Sequence, residues 1–200
     1  MTTVDLLVEG DLDERVLRRI IEFSGSKLLV GTVRGKRGKS SVMNLLPKYV
    51  AASRFGPVQL ALIDLDADAP CAAALVQRQT VDIDRTRFAF RVAVREVEAW
   101  IMASRSSFAD FVGVPVSRIP ENVDDITDPK AFLVNVCRTN RKPTLRRQIV
   151  PRPQATVAVG PAYNLVLATY VSEEWSPAEA VNHSESLRRC VQAVRTLSSA

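Results

Sequence analysis

The sequence predicts an α/β fold: a mainly parallel sheet flanked by helices, with a mostly helical C-terminal extension. Three observations carry that expectation. Strand and helix signals alternate through the first half of the chain. The strand candidates are continuous apolar runs such as VQLALI, as in a sheet buried on both faces. The second half shows helical periodicity separated by Pro- and Asp-rich turns, and no further alternation.

The elements follow in order. A short apolar run over 3–8 ends in Glu9-Gly10. A helix over 13–23 places Val16, Leu17, Ile20 and Ile21 on one face. A strand over 27–33 leads into the basic loop RGKRGKS, and a helix over 41–53 follows. The apolar strand 58–63 ends at Asp64; a helix over 70–79, a strand over 87–94 and a helix over 96–104 complete the half. Beyond it, helices are expected over 108–113, 129–140, 161–172 and 184–197, with a basic loop or short helix at 142–153. Pro177 and Ser184 are helix-start signals. The division expected is an α/β unit over 1–104 and a helical extension or lid over 105–200 packed on it.

Composition narrows the function. The 200 residues are 46% hydrophobic and 24% charged, the balance of a globular chain that needs no metal or disulfide to fold. Three distant cysteines and a single histidine give little support to zinc binding or to Cys/His and Ser/His catalysis. No apolar run is long enough to span a bilayer and no signal peptide is evident, so a cytoplasmic protein without a membrane partner is expected. The net charge of +5 gathers locally: Arg34, Lys36, Arg37 and Lys39 in one Gly-rich loop, and Arg141, Lys142, Arg146 and Arg147 in a stretch without acids. Such clusters either suit nucleic-acid phosphates or form a solvated face.

Ligands of open parallel sheets bind outside the carboxyl ends of the strands. Acids stand at three such ends: Glu9 with Asp11, Asp13 and Glu14; Asp64 with Asp66 and Asp68; and Glu96 with Glu98. Carboxylates crowded together repel unless some are protonated, and a hard divalent cation such as Mg²⁺ removes that conflict. Asp64 and Asp66 share a side of an extended strand, whereas Glu96 and Glu98 do so only outside a helix. Other roles compete. Asp11 and Asp68 suit helix N-caps, and Glu14 completes a capping pattern. Asp82 and Asp84 suit a turn, and Asp124, Asp125 and Asp128 a solvated loop. Gly38-Lys39-Ser40 resembles the end of a P-loop, but Val33 stands where its first glycine belongs. A DxD phosphatase would carry its motif on the first strand rather than the third. A glycosidase suits neither the basic loops nor the 6% aromatic content.

VEGDLDERVL resembles the first motif of Toprim domains, ALIDLDAD their DxD motif, and VREVEAWIMAS the third acidic element of the RloB-like and overcoming-lysogenization-defect (OLD) types. The whole chain, with DPKAFL, VGPAYN and SESLRR, is similar to a Toprim-like bacterial family from defence-associated gene neighbourhoods. The resemblance implies a Toprim/Rossmann-like sheet and phosphodiester hydrolysis of DNA or RNA with one or two Mg²⁺ or Mn²⁺ ions. It implies Glu9, Asp13, Asp64 and Asp66 as metal ligands, with Glu14 able to replace Asp13. Glu98 or Glu96 would be a further ligand or acid/base. Tyr49, Tyr163 and Tyr170 lie in apolar helical surroundings, unlike a topoisomerase tyrosine. An alternative is an effector or nucleic-acid-binding subunit working with a partner ATPase, with Trp100 and Trp175 either at an interface or in the core. A homo-oligomer and a DxD phosphatase remain further alternatives.

Overall fold

The computed structural model describes residues 2–66, 71–80 and 83–197. Four strands form one parallel sheet: β1 (Thr2–Val8), β2 (Leu28–Gly35), β3 (Val58–Asp64) and β4 (Phe88–Ala93), in spatial order β2-β1-β3-β4. The first three connections run through α1 (Asp11–Phe23), α2 (Lys39–Ala52) and α3 (Ala72–Gln79). Strand order reverses between β1 and β3, so their carboxyl ends form the switch point of the sheet.

Alternation along the strands builds the two faces. Val4, Leu6 and Val8 of β1, with Val58, Leu60 and Leu62 of β3, join α1 in the larger core. Leu7, Ala61, Ile63, Phe88, Phe90 and Val92 meet α2 and α3 on the other side. The face of α1 is covered further by α4 (Val97–Met102), α5 (Arg105–Val112), α6 (Pro129–Arg138), α7 (Pro143–Ile149), α8 (Tyr163–Glu173), α9 (Pro177–Ala180) and α10 (Glu185–Leu197). One apolar cluster takes in residues from Val4 to Leu197, with α8 against α1 and α10 against β4. Segment 105–197 thus shares the core of the sheet, α10 lying on β4 itself and α8 on α1.

Several boundaries differ from expectation for physical reasons. β2 runs on through Arg34-Gly35 because Leu7 and Val8 pair with them, which overrides the loop-like composition. A Cβ at Gly35 would strike the Val8 carbonyl, and its φ of +94° suits glycine. α2 therefore begins at Lys39. Helix α1 begins at Asp11, whose neighbour Gly10 takes the N-cap position with no side-chain cap, so Asp11 is not a cap. Asp128 does cap α6 through the Ala131 amide, and Asp124 accepts bonds from Ser184 and Ser186 instead of lying free in a loop. Ser184 also accepts the Leu187 amide at the start of α10. Asp68, Asp82 and the expected helix start at Pro70 lie outside the described residues.

Trp100 and Trp175 are fully enclosed. The Trp100 indole donates to Ser186 Oγ at 2.7 Å, and the Trp175 indole to the Trp100 carbonyl at 3.1 Å. Both belong to the core, which removes the interface role considered for them. Among the described residues no helix is long and apolar enough to cross a membrane.

Candidate functional site

Glu9 follows the last residue of β1, and the chain turns at Gly10 into α1, which carries Asp13 one turn inward. Gly10 permits the close approach: a Cβ there would lie 3.3 Å from Asp13 Oδ2. Asp64 ends β3, and Glu98 stands in the first turn of α4 after β4. Three strand ends thus bring Glu9, Asp13, Asp64 and Glu98 together. Glu9 Oε1 accepts the Asp64 amide at 2.9 Å, which ties the ends of β1 and β3. Asp64 Oδ1 in turn accepts the Val97 amide at 2.8 Å and fixes the start of α4.

The acids act on one another. Burial raises the Asp13 carboxyl to about 7, with Glu9 and Glu98 adding repulsion. Burial, followed by Asp13, Glu98, Glu9 and Asp66, pushes Asp64 well above the carboxylate range. Burial also raises Glu9 and Glu98, against the pull of nearby lysines. Asp13 Oδ1 is buried and has no hydrogen-bond partner. Such an oxygen is costly to keep dry, because nothing replaces the water it lost.

Two residues from the helical half complete the site, and neither was legible as a site residue. Lys130, on α6, places Nζ 2.8 Å from Glu96 Oε1 and 3.5 Å from Glu98 Oε1. Burial works against its charge, but Glu98 and Glu96 outweigh it and hold the ammonium above its ordinary range. Tyr163, at the start of α8, donates its hydroxyl to Glu98 Oε1 at 3.1 Å. Burial, then Glu98, raises the Tyr163 hydroxyl, so it stays a proton donor. The only sequence signal for Lys130 was its place after Asp128-Pro129, a helix-start pattern that puts it in the first turn of α6.

The remaining expected residues divide. Helix α4 begins between Glu96 and Glu98: Glu96 is extended, with φ −145° and ψ 157°. Its carboxylate accepts both the Lys130 amide and the Lys130 ammonium, each at 2.8 Å, so Glu96 anchors α6 rather than joining the acids. Asp66 is exposed at the rim, with φ +50°, and its carboxylate meets Lys39 Nζ at 2.9 Å. Glu14 binds Lys36 and Arg18, whose bonds overcome burial and lower its pKa, and Lys36 also meets Asp11. Lys142 Nζ is held by the Asp110 and Phe111 carbonyls at the end of α5. Lys36, Lys39 and Lys142 are therefore committed within the chain. Arg34, Arg37, Arg141, Arg146 and Arg147 present exposed side chains.

The expected set Glu9, Asp13, Asp64 and Asp66 does not form a ready cage. Among the described residues no group of three or more His, Cys, Asp or Glu side chains is placed to hold a metal ion. The donor chemistry nonetheless fits a hard divalent cation: carboxylate oxygens only, mutually repelling, one of them buried and unpartnered. Mg²⁺ needs one or two carboxylates and keeps waters and phosphate oxygens as its other ligands. No family model, curated protein or solved structure matches the chain.

Proposed function

We propose that this chain is a Toprim-like nuclease that hydrolyses phosphodiester bonds of DNA or RNA with the aid of Mg²⁺ or Mn²⁺. The observation that carries the reading is the meeting of Glu9, Asp13, Asp64 and Glu98 at the switch point, with Asp13 Oδ1 buried and unpartnered. A bound divalent cation supplies neutralisation of the developing phosphoryl charge and acidifies an attacking water.

The chain's own residues do the rest. Glu9 and Asp64 each commit one oxygen to a backbone amide, which fixes the second oxygen in orientation. Asp13 offers its unpartnered oxygen. Glu98, steadied by Tyr163 and Lys130, is placed to hold or release a proton at its carboxylate. The exposed arginines 34, 37, 141, 146 and 147 are free to meet substrate phosphates, contacts that are independent of sequence and sensitive to salt.

The test is cleavage of single- and double-stranded DNA and RNA by the purified chain, with Mg²⁺ or Mn²⁺ and with EDTA. Asp64→Asn keeps an acceptor for the Val97 amide, so the variant folds and loses metal-dependent cleavage. Cleavage retained in that variant excludes the centre. Turnover of an aryl phosphate with no polynucleotide cleavage favours a phosphatase instead.

A further inference from the structure

A cavity lies along β4, the outermost strand on its side of the sheet. It measures about 310 Å³ and is lined by residues of α3, β4 and α10 and by Thr80, Ile83 and Arg85 from between α3 and β4. Three arginines face it, Arg85, Arg91 and Arg189, and among the described residues no carboxylate does. Its remaining wall is largely apolar and includes the half-buried Val76, Ile83 and Ala193. None of the acids at the switch point lines it.

An adjoining cavity of about 580 Å³ shares the same three arginines and adds Asp124 and Glu185. Those two acids are already engaged. Asp124 accepts from Ser184 and Ser186, and Glu185 pairs with Arg188 and Arg189. Neither is spare to neutralise Arg85 or Arg91.

Arg91 is the focus. Alternation along β4 turns it to the same side as Ala89 and Ala93, beneath α10. Its Nε is buried and has no hydrogen-bond partner. Burial disfavours its charge, and Arg189 and Arg85 repel it. A guanidinium stays charged under all ordinary conditions, so it cannot escape this cost by losing a proton. An oxyanion would give the buried N–H an acceptor and offset the repulsion that Arg91 meets from Arg189 and Arg85. Guanidinium geometry favours carboxylate or phosphate through paired hydrogen bonds.

We propose that this cavity binds a small organic anion, its carboxylate or phosphate head on Arg91, Arg85 and Arg189 and a flat apolar body against Val76, Ile83 and Ala193. The volume stands near the lower end of small-molecule pockets, which run from about 300 to 1,000 Å³. It therefore suits one ring with its head group rather than an extended polymer. The site is independent of the acids at the switch point.

Calorimetric titration of the whole chain tests it, with phenyl phosphate, benzoate, inorganic phosphate and benzyl alcohol as probes. Phenyl phosphate or benzoate binds saturably with a Kd of about 1 mM or tighter, and the stronger of the two identifies the head group. Inorganic phosphate, lacking the apolar body, binds about tenfold more weakly, and benzyl alcohol, lacking charge, does not saturate. Arg91→Gln weakens the preferred anion by about tenfold or more. Should that variant not fold, the double substitution of the exposed Arg85 and Arg189 by alanine gives the same loss. The proposal is overturned if neither aromatic anion saturates, if inorganic phosphate binds equally well, or if the folded arginine variants bind as the parent does.

Discussion

Replacing Asp13 by asparagine should make the metal-free protein more stable at alkaline pH, although it removes a residue proposed for the site. The Asp13 carboxyl is raised from 3.8 to about 7, by burial first and then by Glu9 and Glu98. A raised carboxyl pKa means that the folded chain holds the proton more tightly than the unfolded one. Its contribution is full below 3.8 and is lost as pH climbs through about 7. At about 1.4 kcal/mol for each pH unit between those values, the ceiling is about 4 kcal/mol. Sharing of protons among four interacting acids lowers the expected effect of one substitution to about 2 kcal/mol. Asparagine also presents an N–H toward the repelling acids. The assay is urea unfolding in EDTA, followed by fluorescence of the buried Trp100 and Trp175, from about pH 4 to about pH 8.5. The Asp13→Asn variant gains over the parent as pH rises, and the difference closes near pH 4. Equal stability at pH 8, or a difference that does not change with pH, refutes the reasoning.

Other expectations follow from the same contacts. Lys130→Met removes the counter-charge of Glu96 and Glu98 and loosens α6, costing about 1–2 kcal/mol after allowance for the part of Lys130 that is solvated; chemical denaturation at neutral pH measures it. The nucleic-acid reading separates two neighbours in one loop. Arg37→Ala lowers the slope of log affinity against log salt by about 1, while Lys36→Ala, already neutralised by Asp11 and Glu14, changes it far less; fluorescence anisotropy across a salt series reads both.

Much of the sheet was legible because its strands are apolar runs with acids at their carboxyl ends. The pairing of Glu9 with Asp64 follows from that pattern and the switch-point rule, with no contact known in advance. The extent of β2 was not legible, since Arg34-Gly35 reads as loop until β1 supplies its partners. Asp66 reads as a strand companion of Asp64, but the strand ends first and a positive φ turns Asp66 toward Lys39. The place of Glu96 was hidden by one residue of helix boundary, which decides whether it faces the acids or α6. Lys130 and Tyr163 reach Glu98 from helices 32 and 65 residues away along the chain, and local periodicity carries no trace of such a contact. Their recruitment reflects the shared core, in which α6 and α8 pack over the face that carries α1 and α4.

The most direct measurement is a crystal structure of the chain soaked in Mn²⁺, with the ion located by its anomalous scattering. The account predicts one peak or a pair at the ends of β1 and β3, the ion bound by oxygens of Asp13 and of Glu9 or Asp64. A structure with manganese elsewhere, or with none at a concentration that supports cleavage, contradicts it.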